Sequence, residues 1–283
     1  MRRAFFAGFC VLLSFILNAA EYPAAAQIAA AESAFAAHSV ATDMREALLA
    51  AFADDSILVR AAPVPGKETI RNKPAPLIEL NWRPAFVAAA ASGEIGYSTG
   101  PVRITSKTNA SDTPGYGQYI SIWKKQQDGV WKVFIDLGIS HPDPSLADTW
   151  LILSDMGTGR ATETAAKNAE KAFAEIAEKA GYLESLRRFG AKDLRVFRNG
   201  HAPFIGQAAL SKTTIDYAGA GQEIIKLGTS KSGDMAFALV RIAPRRADGS
   251  LDVSTAYAVR IWKATTDAKF ELVLDVINES PKQ

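Results

Sequence analysis

Tyr119-Ile120-Ser121-Ile122-Trp123-Lys124-Lys125, followed after two residues by Asp128-Gly129-Val130-Trp131-Lys132-Val133, is the stretch on which the fold turns. Apolar residues recur along both flanks of an Asp-Gly pair, and that pair tolerates the positive φ of a tight reversal, so the stretch reads as a β-hairpin with arms Gly117 to Lys125 and Val130 to Gly138. Ile95 to Thr105 supplies a strand before it. Further upstream the pattern is helical. Ile28 to Phe52 is alanine-rich, places Phe35, Leu48, Leu49 and Phe52 at apolar positions and has no Gly or Pro, which predicts a helix broken near Ser39 to Thr42 with Thr42 capping the second part. Between helices and hairpin, Ser56 to Arg60 reads as a short strand and Pro63, Pro65 and Gly66 as a turn. Pro84 to Ala91 reads as a third helix.

The same order recurs in the second half of the chain. Ala34-Phe35-Ala36 returns as Ala172-Phe173-Ala174, Arg60 as Arg198, Gly66 as Gly206, Ser92-Gly93-Glu94 as Ser232-Gly233-Asp234, Ile122-Trp123-Lys124 as Ile261-Trp262-Lys263 and Asp136 as Asp275, at offsets of 138 to 140. Six echoes in one order, with small slips between them, imply two copies of one domain. The second copy reads as a helix over Thr164 to Phe189 capped by Thr162 or Thr164, a strand over Leu194 to Phe197, and strands over Met235 to Ala243, Ser254 to Ala264 and Phe270 to Ile277. The domain plan is therefore 1–26 as a signal peptide, 27–141 as the first domain, 142–161 as a linker and 162–280 as the second domain. Within the linker, the apolar run Trp150 to Leu153 predicts a piece packed on one of the domains.

Arg2 and Arg3 before the apolar run Ala4 to Leu17, then small residues at Ala19, Ala20 and Ala24 to Ala26, have the three-part pattern of a secretory leader. Cleavage is expected after Ala26, with Ala20 as the alternative, which predicts an exported protein, periplasmic or secreted, without a membrane anchor once cut. The one cysteine, Cys10, lies in that segment, so the mature chain holds itself together by its core rather than by disulfides. Apolar residues make up 48% of the chain, which supplies such a core, and a formal charge of +2 with interspersed signs offers no footprint for nucleic acid.

Helices first and antiparallel hairpins after is the element order of an α+β domain with helices on one face of a bent sheet. The helical pair ending in Phe52-Ala53-Asp54-Asp55, the strand Gly93-Glu94-Ile95-Gly96-Tyr97-Ser98-Thr99-Gly100 and the hairpin with its two tryptophans together resemble the SnoaL-like and ketosteroid-isomerase-like domains of the nuclear transport factor two superfamily. The resemblance covers most of residues 28 to 140 and is weaker over 162 to 278, where Arg260-Ile261-Trp262-Lys263 carries it. It implies two cone-shaped domains, each a strongly curved sheet wrapped around about three helices and an apolar pocket. Because such domains pair through their sheets, it also implies an intramolecular pseudo-dimer or a homo-oligomer.

This fold serves isomerases, dehydratases, cyclases and plain binders, so function rests on the pocket. No residue equates with that isomerase's acid, base or tyrosine. Candidate catalytic residues are Asp136, His38 and Tyr119, and expected ligand contacts are Trp82, Tyr97, Tyr119, Trp123 and Arg60. Strand alternation puts Asp136 on one face with Lys132 and Phe134, opposite Trp131, Val133 and Ile135. An aspartate in an apolar cup has a raised pKa and serves as a base; the competing reading pairs Asp136 with Arg60 as scaffold, which the retained pair Asp275 and Arg198 favours. His38 is replaced by Ile176 in the second copy, Tyr119 by Ala258 and Tyr97 by Phe237, which concentrates polar pocket residues in the first domain. His141, Asp143 and Asp148 match no metal-ligand spacing. The expectation is an exported module that binds a small apolar or aromatic molecule or a protein partner. The alternative is a proton-transfer enzyme, an isomerase, dehydratase or hydratase. Neither reading calls for a metal or organic cofactor.

Overall fold

The computed structural model describes residues 20–109, 111–142, 150–212, 220–244 and 256–279. The apolar run of the expected leader, Asp143 and Asp148 lie outside the described residues. The first half runs α1 (Pro23–Ala41), α2 (Met44–Ala51), β1 (Phe52–Val59), β2 (Pro63–Pro65), α3 (Gly66–Arg71), β3 (Ile78–Trp82), β4 (Phe86–Ala89), β5 (Ile95–Ser106), β6 (Gly115–Lys125) and β7 (Trp131–His141). After β8 (Ile152–Asp155), the second half runs α4 (Glu163–Ala180), α5 (Tyr182–Phe189), β9 (Gly190–Arg198), β10 (Phe204–Ile205), a 3-10 turn over Gln207–Lys212, β11 (Ala220–Thr229), β12 (Met235–Pro244), β13 (Ala256–Ala264) and β14 (Phe270–Glu279). The fold is α+β, with helices laid on one face of each of two separate sheets.

The sheets share one topology. The first is ordered β2-β1-β7-β6-β5-β4-β8, with β3 also on β5, and the second β10-β9-β14-β13-β12-β11. In each, the first long strand pairs in parallel with the last, β1 with β7 and β9 with β14, and the other matched pairs are antiparallel. The continuous β11 takes the place of β3 and β4 together, which Arg83-Pro84 separates, since proline cannot donate to a ladder. The linker run is ordered: β8 adds in parallel to β4, with Leu153 buried and Trp150 78% exposed.

A bulge in the hairpin decides which residues face the helices. Ile122 pairs with Ile135 but Trp123 pairs with Val133, leaving Phe134 as an extra residue on β7. An inserted residue reverses the alternation beyond it. Asp136 therefore shares the helix side with Trp131 and Val133, not with Lys132 and Phe134 as plain alternation predicts. The second hairpin repeats the device, with a register shift between Ile261 and Trp262 and Val273 as the extra residue.

Each helix face buries one core. In the first domain Ile28, Phe35, Phe52, Trp123, Trp131 and Val133 pack together, and in the second Phe173, Tyr182, Leu186, Trp262 and Leu272 do. The opposite faces of the two sheets bury each other: Tyr97, Ile120, Ile122, Phe134 and Ile135 form one cluster with Phe237, Leu239, Val259, Ile261 and Leu274. Ser92 meets its own counterpart Ser232 at 2.7 Å between hydroxyls, and Ser140 and Asn278 reach the other domain through Asn199 and Gly138. A residue that touches its own copy marks a two-fold relation between equivalent surfaces. Asp234 fastens the edge by accepting from the Ala91 amide at 2.7 Å.

Several elements differ from the sequence reading. Pro84 to Ala91 contains strand β4 rather than a helix: Val87, Ala88 and Ala89 are buried between β5 and β8, and pairing on both edges outweighs alanine's helix preference. Its small residues let α1 lie close, and at Gly96 on β5 an added Cβ would stand 2.5 Å from both the Ala88 carbonyl oxygen and Ile28 Cδ1. The cap of α2 is Asp43, whose carboxylate accepts from the Glu46 amide, while the Thr42 hydroxyl bonds back to the His38 carbonyl. The helix read over Thr164 to Phe189 is two, divided at Gly181 with φ of 95°; Thr162 caps the first of them. Helix α1 begins at Pro23 and buries Ala25, inside the segment assigned to the leader.

Candidate functional site

Between α1, α2, α3 and the concave side of the first sheet lies a cavity of about 600 Å3. Its walls are mostly apolar, with Phe35, Leu48, Leu58, Ile70, Leu80 and Val102 among them. At one end the polar side chains of Glu32, Ser121, Asp136 and Tyr119 converge.

Glu32 is fully buried on α1, one turn before Phe35 and on the same face. Its Oε1 accepts from Trp82 Nε1 at 2.6 Å and its Oε2 from the Ser98 hydroxyl at 2.6 Å, and Ser98 in turn accepts from Trp123 Nε1 at 2.8 Å. Desolvation is the larger influence, and with the charge of Asp136 it outweighs those hydrogen bonds and lifts the Glu32 carboxyl to about 7. A group at that position takes up or gives up a proton at physiological pH.

Asp136 on β7 is 13% exposed at its side chain; Oδ1 accepts from Arg60 at 3.2 Å and Oδ2 from the Ser121 hydroxyl at 3.2 Å. The ion pair with Arg60 and the cavity position thus coexist. The Tyr119 hydroxyl is buried beside Ser98 and Glu32, yet among the described residues none stands in full hydrogen-bond geometry with it. Burial, with the neighbouring Glu32 charge, pushes that phenol well above its ordinary range, so it stands as a neutral donor.

Of the sequence-predicted residues, Asp136, Tyr119, Trp82 and Arg60 line this one cavity. His38 does not: it lies on the exposed side of α1. Tyr97 does not either, because it points to the other sheet face, buried in the interdomain cluster against Phe86. Trp123 is buried behind the wall and acts through Ser98 on the Glu32 carboxylate. Sequence reasoning missed Glu32, whose signal was present: Ala31-Glu32-Ser33-Ala34-Phe35-Ala36 returns as Ala169-Glu170-Lys171-Ala172-Phe173-Ala174. A carboxylate retained at one helical face beside a core phenylalanine is not a solvated charge.

Among the described residues of the second domain, a buried arginine occupies the corresponding end. Arg260, at the position of Ser121, is fully buried and bonds Glu170 Oε2 at 2.5 Å, Asp275 Oδ1 at 3.1 Å, the Tyr182 hydroxyl at 2.8 Å and Gln222 Oε1 at 2.6 Å. Arg198 donates to both the carboxylate and the backbone carbonyl of Asp275, and Trp262 donates to Glu170.

No protein-family profile and no curated protein matches the chain. Solved structures do. A protein of unknown function with a cystatin-like fold from Nostoc punctiforme is 14% identical, over 44% of this chain and 96% of that one, with a TM-score of 0.34. A candidate dehydratase of the NTF2-like family from Streptomyces avermitilis is 15% identical, over 42% and 96%, with a TM-score of 0.32. A ketosteroid isomerase-like protein from Erwinia carotovora atroseptica is 15% identical, over 42% and 94%, with a TM-score of 0.30. Each of these structures is matched over less than half of this chain, and two of them are described as NTF2-like or ketosteroid isomerase-like.

Proposed function

We propose that the first domain is a small-molecule receptor, holding a ligand with an apolar body in the cavity and a polar end against Glu32, Ser121, Asp136 and Tyr119. The carrying observation is the pairing of an apolar cup with a buried tyrosine hydroxyl and a near-neutral carboxyl at one end of it. Such a cup with a few convergent polar groups is the ordinary form of a ligand site. A protein partner on the sheet face is less favoured, because each sheet already has the other against it.

A second reading, proton transfer beside a carbonyl, is favoured by Glu32 specifically. A carboxyl poised near neutrality serves as base and then as acid, and Tyr119 offers a neutral donor to an oxyanion. Asp136, already engaged by Arg60 and the Ser121 hydroxyl, is less free for that exchange than it looked from the sequence. We place this activity outside the cytoplasm, with leader cleavage after Ala20, which leaves α1 whole, rather than after Ala26, which cuts its first turn.

The test is a blocked cavity. At Gly138, which lines the cavity beside Tyr119 in the ladder, an added Cβ meets nothing nearer than 3.8 Å, so Gly138→Phe is the substitution chosen to fill the polar end. Protein isolated from its native source and examined by native mass spectrometry should carry a small molecule that the Gly138→Phe variant, equally folded by circular dichroism, does not. Equal occupancy of both would refute the site. For the second reading, isomerisation of a panel of β,γ-unsaturated ketones should be lost in Glu32→Gln with binding retained.

A further inference from the structure

We propose that the ligand of the first-domain cavity carries a cation, an ammonium, amidinium or guanidinium, seated between Glu32 and Asp136 beside Ser121, where the second domain seats the guanidinium of its own Arg260. This deepens the reading of the cavity as a receptor and rests on it.

The duplication supplies the argument. Ser121 pairs with Asp136 across β6 and β7, and Arg260 pairs with Asp275 across β13 and β14, so the two positions are equivalent in register. The neighbours are retained: Glu32 as Glu170, Asp136 as Asp275, Arg60 as Arg198 and Trp123 as Trp262. One member of the set is missing from the first domain, the buried cation that both carboxylates grip in the second. Ser98 and Ser121 face each other across β5 and β6 where Ala238 and Arg260 face each other across β12 and β13. The first domain therefore has two small hydroxyls and an open cavity where the second has a long charged side chain.

Two carboxylates brought into an apolar enclosure without a cation between them are unfavourable. Glu32 meets that cost by holding a proton near neutral pH, and a cationic ligand replaces that proton. The other charges facing the cavity are Arg60 at the end of β1, Arg45 on α2 and Lys73 after α3. Arg60 is 51% exposed and engaged by Asp136, and Arg45 is held by Glu46 and by the carbonyls of Arg71 and Lys73. Lys73 is exposed. The positive groups sit at the rim and the negative pair inside, a polarity that draws a cation inward.

The sign of the pH dependence follows. A cation binds the ionised form of Glu32, so its affinity rises with pH up to about 7, where Glu32 is ionised without help, and is level above that until the amine itself loses its proton.

The experiment uses the full mature chain and three probes of one shape, 4-phenylbutylamine, 4-phenylbutan-1-ol and 4-phenylbutanoate, titrated calorimetrically at acid, neutral and mildly basic pH. The amine should bind about tenfold or more tighter than the alcohol above neutral pH, with the advantage shrinking as pH falls, as expected for one charge-assisted hydrogen bond. Glu32→Gln should lower amine affinity about tenfold, leave alcohol affinity unchanged and remove the pH dependence. Ser121→Arg should abolish amine binding and raise the melting temperature by supplying the cation from within. Alcohol or carboxylate binding as tightly as the amine, and lost in Gly138→Phe, would overturn the cation while leaving the receptor standing. If none of the three binds and native mass spectrometry finds no ligand, both fall.

Discussion

Replacing Arg260 with Ser gives the second domain the serine that the first has between its two carboxylates, and its cost can be worked from the contacts. The substitution removes hydrogen bonds to Glu170, Asp275, Tyr182 and Gln222 in a fully buried setting. Asp275 keeps Arg198 and the Tyr182 hydroxyl, so its charge remains compensated. Among the described residues Glu170 keeps the Trp262 indole and loses the one cation it is paired with. Breaking a buried ion pair from one side costs about 3 to 5 kcal/mol, which for a domain of this size lowers the melting temperature by about 10 °C or more. The loss depends on pH. Glu170 then resembles Glu32 and takes up a proton, a form the folded chain prefers over the unfolded one, so stability recovers as pH falls from mildly basic toward 5 by up to about 1.4 kcal/mol per unit. Urea denaturation of the variant and the parent across that range, with and without millimolar methylguanidine, reads all three effects. The guanidine should restore stability to the variant and leave the parent unchanged. A loss under about 1 kcal/mol that is flat in pH and deaf to methylguanidine would refute the idea that this arginine neutralises a carboxylate pair.

The remaining expectations concern three other places. Glu32→Gln should remove a pH slope from the stability of the whole chain: with the carboxyl raised from 4.5 to about 7 on folding, the parent gains about 3 kcal/mol below pH 4 that is lost as pH rises through 7, and urea titrations of the glutamine variant should lack that slope. Asp234→Ala should cost about 2 to 3 kcal/mol, because the Ser230 and Ser232 hydroxyls and the Ala91 amide lose their acceptor, and hydrogen exchange at Ala91 should quicken if the domains are fastened there. On the proposed export, sequencing of the mature protein's first residues should return Glu21 rather than Gln27, since cleavage after Ala26 removes the buried Ala25 and the first turn of α1.

The hairpin from Gly117 to Gly138 was legible because its code is local: a period of two, an Asp-Gly reversal and large apolar residues on one face. The bulge at Phe134 was not, since an extra residue leaves no mark on composition and shows only in the register of the partner strand. That single insertion turns Asp136 toward the helices. Pro84 to Ala91 misled for a related reason, as alanine-rich segments report helix propensity while neighbouring strands decide which hydrogen bonds are made. At the site, Tyr119, Asp136, Trp82 and Arg60 were recognisable by residue type. Glu32 looked like any charge on an alanine-rich helix until its burial against Trp82 and Ser98 set it apart.

What the linear order of residues carried alone was the internal echo, the α+β class and the strands of each hairpin, because repeats and periodicity are properties of neighbours in the chain. Only the folded molecule decided that one sheet backs onto the other, that His38 and Tyr97 lie outside the cavity, and that a serine in one copy answers to a buried arginine in the other. Those facts depend on distances between segments far apart in sequence. Burial sets the energy of a charge, and burial exists only once the segments have come together.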